Sequence, residues 1–105
     1  MKNLFRIQKY SLSDGIFDFN INHPVTKVIK KFYEDTPFPN YKDTDNKYSI
    51  LEIGNKNFLM KNLKDFIENN KKILEIGAGT CQFSNYLAIG SNNQIVSFDS
   101  SLASL

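Results

Sequence analysis

The run Lys72-Ile-Leu-Glu-Ile-Gly-Ala-Gly-Thr80, followed by Gln94-Ile-Val-Ser-Phe-Asp99, constrains the fold of this chain more than any other feature. Ile73 to Ile76 is short and apolar, and it enters Gly77-Ala78-Gly79 with no polar loop between. Phe83, Tyr86 and Leu87 then recur at helical spacing, and Gly90 marks the end of that helix. Behind the polar turn Ser91-Asn92-Asn93, Ile95 to Phe98 reads as a second strand that ends in Asp99. Strand, glycine turn, helix and strand form a right-handed crossover unit, which sets two parallel strands side by side with their C-terminal ends at one crevice.

The residue types at that crevice point to a nucleoside-bearing cofactor. Glycine lets the backbone turn sharply and lets a ligand approach where a Cβ would obstruct it, and a helix N-terminus adds amide donors. Asp99 lies 22 positions after Gly77. A carboxylate there can accept hydrogen bonds from both vicinal hydroxyls of a ribose, and it disfavours a 2′-phosphate. The dinucleotide fingerprint requires Gly or Ala five positions after its first glycine, and this chain has Gln82 there. It also carries Glu75 two residues before the turn, a poor neighbour for a pyrophosphate. A cofactor with a ribose and an ammonium group but no phosphate fits both departures.

S-adenosylmethionine is such a cofactor, and at these residues the chain resembles the Rossmann-like methyltransferases. Their first motif is a hydrophobic strand, an acid, one residue and Gly-x-Gly-x-Gly, which Ile73-Leu-Glu-Ile-Gly-Ala-Gly-Thr-Cys81 matches except at Cys81. The resemblance implies Gly77, Ala78 and Gly79 as the turn against the methionine portion and Glu75 as the acid that orients it. It implies Asp99, with Ser100 beside it, as the ribose ligand. Phe32-Tyr-Glu-Asp-Thr-Pro-Phe-Pro-Asn-Tyr41 and Gly79-Thr-Cys-Gln-Phe-Ser-Asn-Tyr-Leu87 are similar to segments of a subset of bacterial members. Asp14-Gly-Ile-Phe-Asp-Phe19 resembles the end of a zinc-ribbon module, but no cysteine pairs accompany it, so no metal is expected. The fold implied is α/β, a Rossmann-like doubly wound parallel sheet of which only the N-terminal helices and the first βαβ unit are present. The 105 residues fall short of the roughly 150 usual for such a sheet, so we expect an N-terminal fragment, inactive alone. The methyl acceptor and the catalytic residues would then lie beyond Leu105.

Three regions precede or contain this unit. Residues 1–22 read as an extended segment in which Leu4 to Ile7 and Ile16 to Ile21 flank the turn residues Ser13-Asp14-Gly15. Residues 23–70 read as helical, with Pro24 at a first helical position and an end near Asp35, because Pro37 and Pro39 forbid continuation. His23 reads as a helix-start residue rather than a base. The stiff loop from Thr36 to Tyr41 follows, and Tyr33, Phe38 and Tyr41 either enter the core or cover the crevice. A single helix is expected from Ser49 to Glu68, with Gly54 costing about 1 kcal/mol relative to Ala. Its Ile50-Leu-Glu-Ile-Gly54 is identical to Ile73-Leu-Glu-Ile-Gly77, but no second glycine follows it, and its apolar residues keep helical phase through Ile67. Residues 71–105 begin the cofactor domain.

Composition excludes several classes. A net charge of +2 from 13 basic and 11 acidic residues, without a basic stripe, implies no nucleic-acid partner. No apolar stretch approaches the roughly 20 residues of a membrane span. Cys81 is the sole cysteine, which fits a reducing, cytoplasmic setting and reads as a small buried residue. The function expected is S-adenosylmethionine-dependent methyl transfer to an unspecified acceptor, in an unspecified oligomeric state. The alternatives are an NAD-dependent oxidoreductase, which Gln82 and Glu75 disfavour, and a non-catalytic Rossmann-like module that binds a nucleoside or a protein partner.

Overall fold

The computed structural model describes residues 10–19 and 23–105. The expected strand from Leu4 to Ile7 and the end of the second, residues 20–21, lie outside them. Within them, β1 (Ser11–Ser13) and β2 (Ile16–Asp18) pair antiparallel, with Ser13 opposite Ile16. The two-residue loop between them is Asp14-Gly15, with φ of 50° and 85°. Two positive φ values match the twist of the flanking strands, which is why Asp-Gly is favoured there. Phe19, just past β2, stacks on Phe98 at 6.2 Å between ring centroids and ties the hairpin to the region of the glycine turn.

Helix α1 (Pro24–Asp35) has the expected bounds. Pro24 supplies a preset φ where no amide is needed, and Thr36 closes the far end by donating its N–H and its hydroxyl to Phe32 O. No residue of α1 is buried, and Val25, Val28 and Phe32 stand exposed along it.

The single helix expected from Ser49 to Glu68 is instead two, α2 (Lys47–Lys56) and α3 (Phe58–Phe66). Asn57 divides them. Its backbone is extended, its N–H donates to Gly54 O, and its side-chain carbonyl accepts from the amides of Leu59 and Met60 at 3.1 Å each. An Asn side chain competes with the helical hydrogen-bond ladder and satisfies the amides of a new first turn, so the apolar phase continues while the backbone breaks. Asn46 and Ser49 form a reciprocal capping box at the start of α2.

Strands β3 (Lys72–Ile76) and β4 (Gln94–Phe98) pair parallel, joined by α4 (Gln82–Ala88), with Glu75 opposite Ser97 and Ile76 opposite Phe98. A 3₁₀ turn, Leu102–Ser104, follows β4 and lies against α1. The doubly wound parallel sheet expected from the sequence is not formed. The described residues build two separate two-stranded sheets, one antiparallel and one parallel, with four helices. A doubly wound sheet requires further parallel strands on both sides of such a pair and helices over both faces. Here one crossover is made, and α4 covers one face only. Leu74 and Ile76, on the opposite face, are 60% and 80% exposed.

The small core sits around α4, which packs between the sheet and α2. Tyr86 is fully buried, its hydroxyl donates to Asn55 Oδ1 at 2.9 Å, and its ring lies on Gly54. A Cβ on Gly54 would stand 2.6 Å from the ring's Cγ, and closer still to Cδ2 and Cε2. The glycine that weakens α2 is thus the surface on which the largest buried side chain rests. Lys64 reaches across from α3, donates to the carbonyls of Tyr86 and Ile89 at the C-terminal end of α4, and holds its ammonium 4.5 Å from the Tyr86 ring. Burial lowers its pKa from the usual lysine value, against a smaller opposing effect of Asp65.

Candidate functional site

The glycine turn is held by the end of β4. The amides of Gly77 and Ala78 both donate to Phe98 O at 2.9 Å, and that of Gly79 donates to Asp99 Oδ2 at 2.8 Å. Gly77 and Gly79 adopt φ of 74° and 52°, in the left-handed region where a side chain is strained. Cys81 adopts φ 58° as well. A residue that bears a Cβ therefore shares the left-handed backbone of the two glycines before it.

Glu75, Gly77, Ala78, Gly79 and Asp99 are brought together as the motif spacing requires, and Ser100 stands exposed next to Asp99. Two internal attachments limit what these groups present to a ligand. The three amides of Gly77, Ala78 and Gly79 are engaged internally, so the turn does not present them as a cradle for an anion. Asp99, expected as a ribose ligand, already accepts a hydrogen bond on each oxygen: Gly79 N–H on Oδ2, and Ser101 N–H on Oδ1 at 2.9 Å. A carboxylate has about four lone-pair sites, so each oxygen retains capacity for one more donor. Asp99 is first a staple that closes the turn onto the loop after β4.

The two glycines differ in what surrounds them. A Cβ on Gly77 would meet nothing within 4 Å, whereas one on Gly79 would collide with the carbonyl of Phe38. The loop from Thr36 to Tyr41 therefore lies directly over Gly79. Thr80 Oγ1 donates to Pro39 O, and Asn85 Nδ2 donates to the Tyr41 hydroxyl at 2.8 Å. The loop covers the turn through its backbone and Tyr41, while the Phe38 ring stays 70% exposed. Sequence reasoning left this placement open, because prolines fix local stiffness but not direction.

Beneath the turn, Glu75 and Ser97 are paired across the strands and face α4. Ser84, a buried residue of α4, donates its hydroxyl to Glu75 Oε2 and lies 2.6 Å from Ser97 Oγ. Glu75 has no other hydrogen bond and no ion pair among the described residues. The Cys81 thiol sits beside this group. Burial raises its pKa first of all, the Ser97 hydroxyl lowers it, and the charges of Glu75 and Asp99 raise it further. Cys81, expected as a small buried residue, is half-buried, and the balance of these effects disfavours its thiolate. Ser84 and Ser97 escaped sequence reasoning; two serines on the inward faces of an amphipathic helix and a half-buried strand were the available signal.

Among the described residues no group of three or more His, Cys, Asp and Glu could hold a metal ion. No helix among them is long and apolar enough to cross a membrane. A shallow groove along α1, lined by Lys27, Val28, Lys31, Phe32 and Asp35, shares no residue with the turn. The chain matches no protein-family model, no curated protein and no solved structure.

Proposed function

We propose that this chain forms the S-adenosylmethionine-binding portion of a methyltransferase, cytoplasmic in location, whose methyl acceptor its described residues do not specify. The observation that carries the reading is Glu75, a partly buried carboxylate at the foot of the glycine turn with one hydroxyl partner and no cation. A carboxylate with one oxygen unpartnered and no counter-charge is suited to accept from an ammonium group at the crevice. When bound, S-adenosylmethionine supplies a methyl group already activated on a sulfonium. The chain's own contribution is placement: Glu75 accepts from the ammonium, and the remaining lone pairs of Asp99 accept from ribose hydroxyls.

Calorimetric titration of the intact protein with S-adenosylmethionine and with NADH tests this. The expected outcome is binding of the first alone, weakened by Glu75→Gln; binding of NADH alone, or of neither, overturns it. Asp99→Ala is a poorer discriminator, because it also releases Gly79 and Ser101. That double attachment favours one second reading, a non-catalytic nucleoside-binding module in which Asp99 is mainly structural. Adenosine binding as tightly as S-adenosylmethionine, with no methyl transfer, would support that reading.

A further inference from the structure

We infer that Ser84 is a positioning residue, a latch on α4 that aims the Glu75 carboxylate at the amino-acid end of the cofactor; this rests on the reading just given. The face of the β3–β4 sheet under a helix is where apolar side chains are expected, yet Glu75 and Ser97 occupy a cross-strand pair there and Ser84 comes down between them. Ser84 is 6% exposed and has both other side chains within hydrogen-bond reach. One hydroxyl has one proton. If Ser84 gives its proton to Glu75 Oε2, its oxygen accepts from Ser97, and every donor in the chain runs towards the carboxylate. Such a directed chain is strengthened by mutual polarisation in a low-dielectric interior.

The consequence is geometric. Oε2 is held by α4, while Oε1 has no partner among the described residues. Ser84 bonds only Oε2, so the carboxylate has one fixed and one open oxygen. Without the latch, a glutamate side chain with its freely rotating torsions would spread over several rotamers, and an ammonium ligand would have to order it on binding. Ser97 secures Ser84 in turn, and the Cys81 thiol packs beside it.

The test uses the intact protein and two probes, S-adenosylmethionine and adenosine, which lacks the methionine portion. Ser84→Ala should weaken S-adenosylmethionine binding roughly ten- to a hundredfold, the range for a hydrogen bond to a charged group, while adenosine affinity changes by less than about twofold. Ser84→Thr keeps the hydroxyl and should restore most of the loss. In a Glu75→Gln background, Ser84→Ala should add little, because the residue acts through Glu75. Equal weakening of both probes, undiminished affinity in Ser84→Ala, or full additivity with Glu75→Gln overturns the latch. If Ser84→Ala does not fold, Ser84→Cys, with a weaker donor of similar size, is measured against the same outcomes. Wild-type protein that binds no S-adenosylmethionine overturns the functional reading and the latch together; wild-type binding with an insensitive Ser84 overturns the latch alone.

Discussion

Gly54→Ala sets two well-measured effects against each other at one atom. In an isolated helix the substitution stabilises by about 1 kcal/mol, since glycine carries excess backbone freedom into the unfolded state. In this chain the added Cβ meets the Tyr86 ring, with Cγ at 2.6 Å and two further ring carbons nearer. Carbon atoms in contact prefer about 3.5–4.0 Å, so the ring must retreat by roughly 1 Å or more. It has little room to do so: the residue is fully buried, its hydroxyl is tied to Asn55, and the Lys64 ammonium lies 4.5 Å from its centroid. Overpacking of this kind costs about 1–3 kcal/mol, and separating α2 from α4 would expose further apolar area. The net expectation is destabilisation of about 1–2 kcal/mol, lowering the melting temperature by roughly 5–15 °C in a domain of this size. Urea unfolding followed by circular dichroism measures it. Gly54→Ala combined with Tyr86→Leu should be less destabilised than the sum of the single changes. A rise in midpoint for Gly54→Ala alone would refute the argument, because it would mean that helix propensity outweighs the contact.

Cys81→Gly should raise stability by roughly 0.5–1 kcal/mol in the same assay, because relief of a left-handed backbone, about 1–2 kcal/mol, exceeds the gain in unfolded-chain freedom. Alkylation of Cys81 at pH 7 should be slower than that of glutathione, since burial holds its pKa above the usual thiol value; a faster rate would contradict the packing described. Tyr86 has its phenol pKa raised, mainly by burial. The unfolded phenol therefore ionises first, and this contribution is complete below about pH 10 and lost as pH rises through the folded value. Lys64, with a lowered pKa, acts in the opposite sense and gives stability that rises with pH towards the ordinary lysine value. Comparison with Tyr86→Phe isolates the first effect: the variant should lose less stability than wild type as pH rises above 10, and parallel curves would argue against a buried phenol.

The legible parts of the fold are those set by contacts close in sequence. Ser13-Asp14-Gly15 marks a hairpin turn, of which Ser13 is taken up by β1, Pro24 and Pro37 bracket α1, and the apolar run into Gly77-Ala78-Gly79 prescribes a strand before a turn. The break at Asn57 was not legible, because apolar periodicity passes through it and only side-chain capping distinguishes one helix from two. The doubly wound sheet was an extension from one crossover to a whole architecture, and the described residues supply one parallel pair alone.

Within the candidate site, sequence spacing alone determined that an acid, a glycine turn and a second acid meet at the ends of two strands, because strand alternation and crossover handedness leave little choice. Tertiary structure decided what each group is free to do. It turned the amides of Gly77 and Ala78 onto Phe98 and that of Gly79 onto Asp99, laid Phe38 and Pro39 over Gly79 and Thr80, and set Ser84 against Glu75. These partners lie between 9 and 41 residues apart in the chain. No local propensity encodes them, since a hydrogen bond between distant segments depends on how their elements pack.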